Sequence, residues 1–241
     1  MHDGPPIKRR ARVAGLLYFV SSIFGVVGLV YVPKRLIVSE NATATADAIR
    51  GSESLFRLGI ASELVGMTMF IFVVLALYRL FEGVDRNQAS LMVILIFFSI
   101  PLSFVAMLSE MGALTLYGNA DFLSVFARHQ LDALAFLFLR LHSDAWVLAS
   151  VFSGLWLFPF GMLVIRSGFI PRILGFLLIA AGVGWLIDSF SSILEAHPGV
   201  FSTIASVLEI GELPIIFWLL IVGAMVRPVE AKAPANGGLL R

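Results

Sequence analysis

Six runs of apolar residues follow one another along this 241-residue chain. An α-helix needs about 20 apolar residues to cross the hydrocarbon core of a bilayer, so each run predicts one membrane-spanning helix. The predicted spans cover residues 12–32, 57–80, 89–117, 145–165, 173–194 and 205–226. The pattern therefore predicts an all-α fold, a polytopic membrane helix bundle with six transmembrane helices.

Composition narrows the class of protein further. Hydrophobic residues make up 59% of the chain and charged residues 14%, and a soluble domain of this length could not bury so much apolar surface. The lipid bilayer is therefore the predicted partner. A net charge of +1 argues against nucleic-acid binding. The chain has no cysteine and no glycine-rich phosphate loop, so no disulfide, thiolate site or cofactor is predicted.

The distribution of basic residues predicts the orientation in the membrane. Placing both termini in the cytoplasm puts 11 of the 17 lysines and arginines inside, as the positive-inside rule favours. The six left outside are Lys34, Arg35, Arg50, Arg57, Arg128 and Arg140. We expect a multi-pass protein of a bacterial inner or plasma membrane, with a cytoplasmic tail at 1–11, a transmembrane domain at 12–226 and a disordered cytoplasmic tail at 227–241.

The second predicted outer segment contains a further helical pattern. Apolar residues recur at helical spacing from Phe122 to Phe138, with Arg128, His129 and Asp132 elsewhere around the helix. This pattern predicts an amphipathic helix that lies against the outer surface or packs over the bundle.

Four carboxylates lie inside predicted spans, at similar depths from the outer ends of four different helices. An ionisable group costs at least roughly 2.5 to 3.5 kcal/mol at the centre of a membrane helix, so each needs a partner, a cavity or a function. Small residues beside three of them indicate helix-packing faces. We therefore expect one polar cavity near the outer face to be formed by Glu63, Glu110, Asp188 and Glu212.

Partners for these acids are few. Arg57 and Arg140 stand at the outer ends of their helices and could reach inward to form ion pairs, although Arg140 and Asp144 are also spaced for a local salt bridge. His142 lies between them and is a candidate ligand- or proton-binding residue.

Metal and covalent chemistry receive little support. His129 and Asp132 could chelate from one helix face, whereas His142 and Asp144 point to different sides of a helix. The chain has no H-E-x-x-H motif and no nucleophile elbow. We therefore predict neither a metal site nor a catalytic residue, and favour a protein that is not an enzyme.

Several segments in order resemble one known family. They are "RVAGLLYFVSSIFG", "SESLFRLG", "LRLHSDAW", "RSGFIPRILGFLLIAAGVGWLIDSF" and "IGELPIIFWLLIVGAMV". Together they resemble the domain of unknown function 4386 family of bacterial six-helix membrane proteins, which has no established activity. The resemblance implies that His142, Asp188 and Glu212 are shared polar residues. It also implies an arginine in the third span, where this chain has only Ser99.

Three functions remain open at this point. The acids could make a transporter or a small-ligand or proton-binding protein, with an unknown small molecule or cation as partner. They could serve an intramembrane enzyme together with His142, or they could specify helix packing in a structural or regulatory module. In the first case at least one of the four acids should hold a proton near neutral pH, because burial and neighbouring acids disfavour the ionised form.

Overall fold

A computed structural model describes residues 7–118, 120–194 and 199–225, and these fold into seven helices. Six are long and apolar enough to cross a membrane. They are α1 (Ile7–Leu36), α3 (Glu53–Phe81), α4 (Arg86–Tyr117), α5 (Arg128–Ser167), α6 (Arg172–Leu194) and α7 (Val200–Ile221), and the short α2 (Ala42–Gly51) lies between the first two. The predicted all-α bundle with six candidate spans is confirmed. The predicted tail at 227–241 and residues 1–6 lie outside the described residues.

Helix α5 is much longer than its predicted span. The amphipathic pattern was expected to form a separate helix, but from Arg128 onward it is the first part of α5. The side chain of Gln130 accepts a hydrogen bond from the Ala127 N–H at the helix start, and no glycine or proline follows until Gly154. Nothing therefore interrupts the helix before Gly154, and after a single turn residue at Trp156 it continues to Ser167. Together these 40 residues span about 60 Å at 1.5 Å per residue, twice the hydrocarbon thickness.

The extra length of α5 carries a small core at one end of the bundle. Helix α2 packs against this part of α5, and the two are joined by an ion pair between Arg50 and Asp132. The apolar residues of this core come from α2 and α5 themselves and from α1, α3 and α4, and they include Val32, Leu36, Ile49, Phe56, Tyr117 and Leu139. We call this the capped end.

The opposite end holds both ends of the described chain. A Cβ added to Gly223 would lie 2.9 Å from the carbonyl oxygen of Lys8, so these two residues touch. The N–H of Met225 also bonds the carbonyl oxygen of Phe169, at 2.8 Å. We call this the terminal end, and the larger apolar core fills the half of the bundle next to it.

Small residues bring α5 and α6 into close contact. A Cβ at Gly161 would lie 2.7 Å from the carbonyl oxygen of Gly175, and one at Gly182 would lie 2.8 Å from that of Gly154. Close backbone approach of this kind is how membrane helices associate when lipid is as apolar as their side chains. Large apolar side chains such as Phe97 and Leu108 are 66% and 65% exposed on the outside of the bundle, a surface suited to lipid contact.

Candidate functional site

Three of the predicted residues meet in the interior, close to the capped end. Glu63 from α3, Glu110 from α4 and His142 from α5 form what we call the acid–imidazole cluster. The Nε2 atom of His142 lies 3.1 Å from Oε2 of Glu63 and 3.8 Å from Oε1 of Glu110. The three side chains are 10% exposed or less. The cluster is therefore a buried group of titratable side chains on three helices.

A distortion of α1 makes room for Glu63. Residues Val27–Tyr31 form a single π-helical turn, a feature often found at functional sites. Within it, a Cβ at Gly28 would lie 2.4 Å from Cγ of Glu63 and 3.0 Å from the carbonyl oxygen of Gly59. Only a glycine leaves the space that the Glu63 side chain occupies.

Hydrogen-bond donors are scarce in the cluster. The indole N–H of Trp146 lies 3.3 Å from Oε2 of Glu63 and 3.1 Å from Nε2 of His142, so one hydrogen serves two acceptors. The imidazole nitrogen can donate or accept, depending on its tautomer. Two further buried oxygens, Oε1 of Glu63 and Oε2 of Glu110, have no hydrogen-bond partner. Two ionised carboxylates beside one imidazolium would leave a net negative charge, which a bound proton or cation would remove.

The same geometry bears on metal binding. One ligand atom from each of the three residues lies within 4.8 Å of the others, close enough to hold a metal ion. Imidazole and carboxylate ligands suit zinc, iron or manganese. The sequence predicted no metal site because Glu63 and Glu110 are far from His142 along the chain, so no local chelating motif reveals their convergence.

A second carboxylate, which is half-buried, is held differently. Glu212 of α7 accepts a hydrogen bond at Oε1 from the Tyr18 hydroxyl of α1. Its Oε2 accepts one from the Trp185 indole N–H of α6, at 3.2 Å. Each oxygen has a neutral donor from a different helix. A turn of 3₁₀ helix at Ile210–Glu212 places the carboxylate just before Pro214.

One cavity of about 230 Å³ joins the two carboxylate regions. We call it the central cavity. Glu63 and Trp146 lie on its wall. So do Glu212, Tyr18 and Trp185, which we call the Glu212 group. Its other lining residues are Ser21, Ser22, Gly25, Leu29, Gly66, Met67, Phe70, Ser150, Ser153 and Trp156.

The remaining predicted site residues lie elsewhere. Asp188 is half-buried on α6 and is not among the residues that line the central cavity. Of the four acids expected to share one cavity, Glu63 and Glu212 line it, whereas Glu110 lies behind Glu63 in the cluster and does not line it. Asp188 lies one turn after Gly184 on α6. It is separate because the face of α6 that carries Gly184 packs against Ala205 of α7.

The two candidate arginines do not reach the acids. Arg57 bonds the exposed Glu53 at 2.7 Å, and Arg140 pairs with the exposed Glu40. Asp144 is exposed and is not the partner of Arg140. These long side chains stay on the exposed surface of the capped end, where water solvates their charge at less cost than the bundle interior.

Ser99 makes a neutral contact at the position where the family resemblance implies an arginine. Its hydroxyl is hydrogen-bonded to the Ser153 hydroxyl at 2.9 Å, which links α4 to α5. The arginine that the resemblance implies near this position is therefore not needed to join these helices.

The sequence missed the aromatic donors of both groups. Tyr18, Trp146 and Trp185 each carry one polar hydrogen in an apolar span. A signal for Trp146 existed, since it stands one helical turn after His142 and shares its face. Tyr18 and Trp185 have no such local signal, because their partner Glu212 is distant along the chain.

The fold and the cluster define a membrane helix bundle with a buried Glu/Glu/His group. The family model described as domain of unknown function (DUF4386) matches residues 13–223. The chain therefore belongs to this family, as the sequence resemblance indicated.

One curated relative is an uncharacterized protein from Archaeoglobus fulgidus. It is 35% identical to this chain over 82 residues, which are 34% of this chain and 48% of the relative. The match thus spans about half the length of that relative, which is archaeal, and a bacterial source for this chain stays a prediction. No solved structure matches the chain.

Proposed function

We propose that this protein binds a proton or a small cation at the acid–imidazole cluster, and that it serves as a transporter or a ligand-binding protein of the cell membrane. The observation that carries the proposal is the pair of buried oxygens on Glu63 and Glu110 that lack a hydrogen-bond partner. A protein that used these acids only to join helices would gain by pairing them, since an unsatisfied buried group costs about 1 to 3 kcal/mol.

Charge supports the same proposal. The cluster contains two carboxylates and one imidazole, and the arginine ion pairs in the described residues all lie outside it. Like charges a few ångströms apart in a poorly solvated site cannot both be ionised cheaply, so a proton is shared or a cation binds. His142 extends this chemistry because its charge changes near physiological pH.

The orientation belongs to this proposal. We infer that the terminal end faces the cytoplasm and that the cluster lies near the outer face. Arg9, Arg10 and Arg79 surround a cavity at the terminal end, which suits the anionic inner leaflet. Cysteines at positions 41 and 129 of this cysteine-free chain should react with a membrane-impermeant reagent added outside intact cells. Labelling from the cytoplasmic side alone would reverse the orientation.

A hydrophobic carbodiimide tests the cluster. This reagent attacks protonated carboxyl groups in apolar surroundings. We expect mass spectrometry to locate the adduct on Glu63 or Glu110 in membranes between about pH 5 and 8, with labelling that falls as the pH rises. Glu110→Gln should reduce the labelling, whereas the control Glu53→Gln, which changes an exposed carboxyl group of α3, should not.

The outcome that contradicts the proposal is equally clear. If neither Glu63 nor Glu110 is labelled in this range, with or without added divalent metal chelator, the carboxylates hold no exchangeable proton or cation. The cluster would then be a packing element.

A further inference from the structure

The wall of the central cavity has an unusual composition. Of its fifteen lining residues, five are aromatic, four are serines and two are glutamates. None of the fifteen is a lysine, an arginine or a histidine. A cavity with this wall is electronegative, because the carboxylates, the hydroxyl oxygens and the aromatic ring faces all favour positive charge.

We propose that the central cavity binds a small organic ammonium ion. Aromatic rings and a carboxylate together recognise such cations, the rings through cation–π attraction and the carboxylate through an ion pair. This inference goes beyond the proton or cation bound at the acid–imidazole cluster, and it rests on a different observation, the wall of the cavity.

The aromatic side is already arranged before a ligand arrives. The ring of Trp156 stacks on Phe160 and meets Phe70 edge to face, with centroids 5.3 and 5.4 Å apart. Tyr18 meets the same Phe70 ring edge to face at 5.7 Å. Rings fixed by one another need little further ordering when a ligand binds, which favours affinity.

The carboxylate side is held in place by neutral groups. Glu212 takes one hydrogen bond from Tyr18 and one from Trp185, and these fix its position without cancelling a charge. Glu63 also lines the cavity, and its Oε2 accepts a hydrogen bond from the Trp146 indole. An ammonium group in the cavity would supply the positive charge that the wall lacks.

The volume sets the size of the ligand. An apolar cavity of about 150 Å³ holds benzene, and the central cavity measures about 230 Å³. One ring or its aliphatic equivalent with a short aminomethyl group therefore fits. Benzylammonium is a suitable probe.

Tryptophan fluorescence can report binding directly, because Trp146, Trp156 and Trp185 line the cavity and only Trp218 of the four tryptophans does not. We would titrate the purified full-length protein with benzylammonium, benzyl alcohol and benzoate, which differ mainly in charge. We expect saturable binding of benzylammonium about 30-fold tighter than of the alcohol, and none of benzoate.

Two variants locate the site. Glu212→Gln keeps the shape of the side chain and should lower benzylammonium affinity at least about tenfold. Glu209→Gln is the matched control, since Glu209 lies one turn away on α7 and does not line the cavity; it should bind as the unchanged protein does. Size-exclusion profiles confirm that each variant is folded.

Equal affinity for the ammonium ion and the alcohol would overturn the proposal, and so would an equal loss in the two variants. If Glu212→Gln does not fold, the comparison of the three ligands on the unchanged protein still decides. The carbodiimide experiment reads Glu63 and Glu110 independently, so a failure to bind the amine leaves the cluster proposal standing.

Discussion

The acid–imidazole cluster and the Glu212 group are two solutions to the same problem, a carboxylate held between membrane helices. Each group joins three helices. Both oxygens of Glu212 have a donor, whereas Glu63 and Glu110 each keep a buried oxygen without one. Burial alone therefore does not mark a site that exchanges protons. Glu212, with both oxygens satisfied, can fix the bundle and still present its charge to the central cavity, whereas the unsatisfied pair is suited to hold a proton or cation that comes and goes.

Magnitudes make the contrast sharper. A hydrogen bond to a charged group contributes about 1.5 to 3 kcal/mol, and a buried group left without one costs about 1 to 3 kcal/mol. The hydrogen bonds of Glu212 therefore offset part of the cost of removing this carboxylate from water, whereas the unpaired oxygens of the cluster add to that cost. Functional sites commonly carry such a cost, because activity and stability make different demands on the same residues.

Glu212→Ala should have the largest effect on the free energy of unfolding. It leaves the Tyr18 hydroxyl and the Trp185 indole without an acceptor and enlarges the central cavity, so we expect a loss of about 3 kcal/mol or more. Thermal unfolding in one detergent measures it, with Glu53→Ala on the exposed surface as the control. A loss below that of the control would show that Glu212 does not fix the bundle, and the comparison would fail.

Gly28→Ala should have the next largest effect, and on the cluster alone. The new methyl group would overlap Cγ of Glu63, and overpacking of this kind costs about 1 to 3 kcal/mol. Gly25→Ala is the matched control one turn earlier on α1, because its methyl group would meet nothing within 4 Å. We expect Gly28→Ala to lower both the unfolding temperature and carbodiimide labelling of Glu63, and Gly25→Ala to lower neither. Equal behaviour of the two variants would contradict the packing of Gly28 on Glu63.

The sequence predicted the parts of this molecule that depend on local pattern. Apolar run length gave six candidate spans, and the cost of a charge in lipid pointed to Glu63, Glu110 and Glu212 as interior residues. What it could not predict are pairings between distant helices. The choice of Tyr18 for Glu212 and of His142 for Glu63 depends on how α1, α3, α5 and α7 rotate about their axes.

Depth and rotation also explain the less successful inferences. Asp188 is predicted at the depth of the other acids, but it lies on a face of α6 that does not line the central cavity. The length of α5 was underestimated because polar residues such as Arg140 and Asp144 interrupt the apolar run without breaking the helix. Polar residues indicate where a helix leaves the lipid. The end of the helix depends instead on helix-breaking and capping residues.

Glu110→Gln should have the smallest effect on stability, and one of opposite sign to Glu212→Ala. The amide has nearly the same shape, removes the like charge beside Glu63 and adds an N–H that can donate to a neighbouring acceptor. We expect the variant to gain about 1 kcal/mol in stability and to show reduced carbodiimide labelling. The measurement is the unfolding temperature of Glu110→Gln beside that of Glu212→Gln in the same detergent.

In Glu212→Gln the amide oxygen can still accept a hydrogen bond from the Trp185 indole, and the amide N–H can donate to the Tyr18 oxygen. The unfolding temperature of that variant should therefore change little or fall slightly. If Glu110→Gln instead falls as far as Glu212→Ala, then the Glu110 carboxylate holds the helices together and the cluster has the same packing role as the Glu212 group.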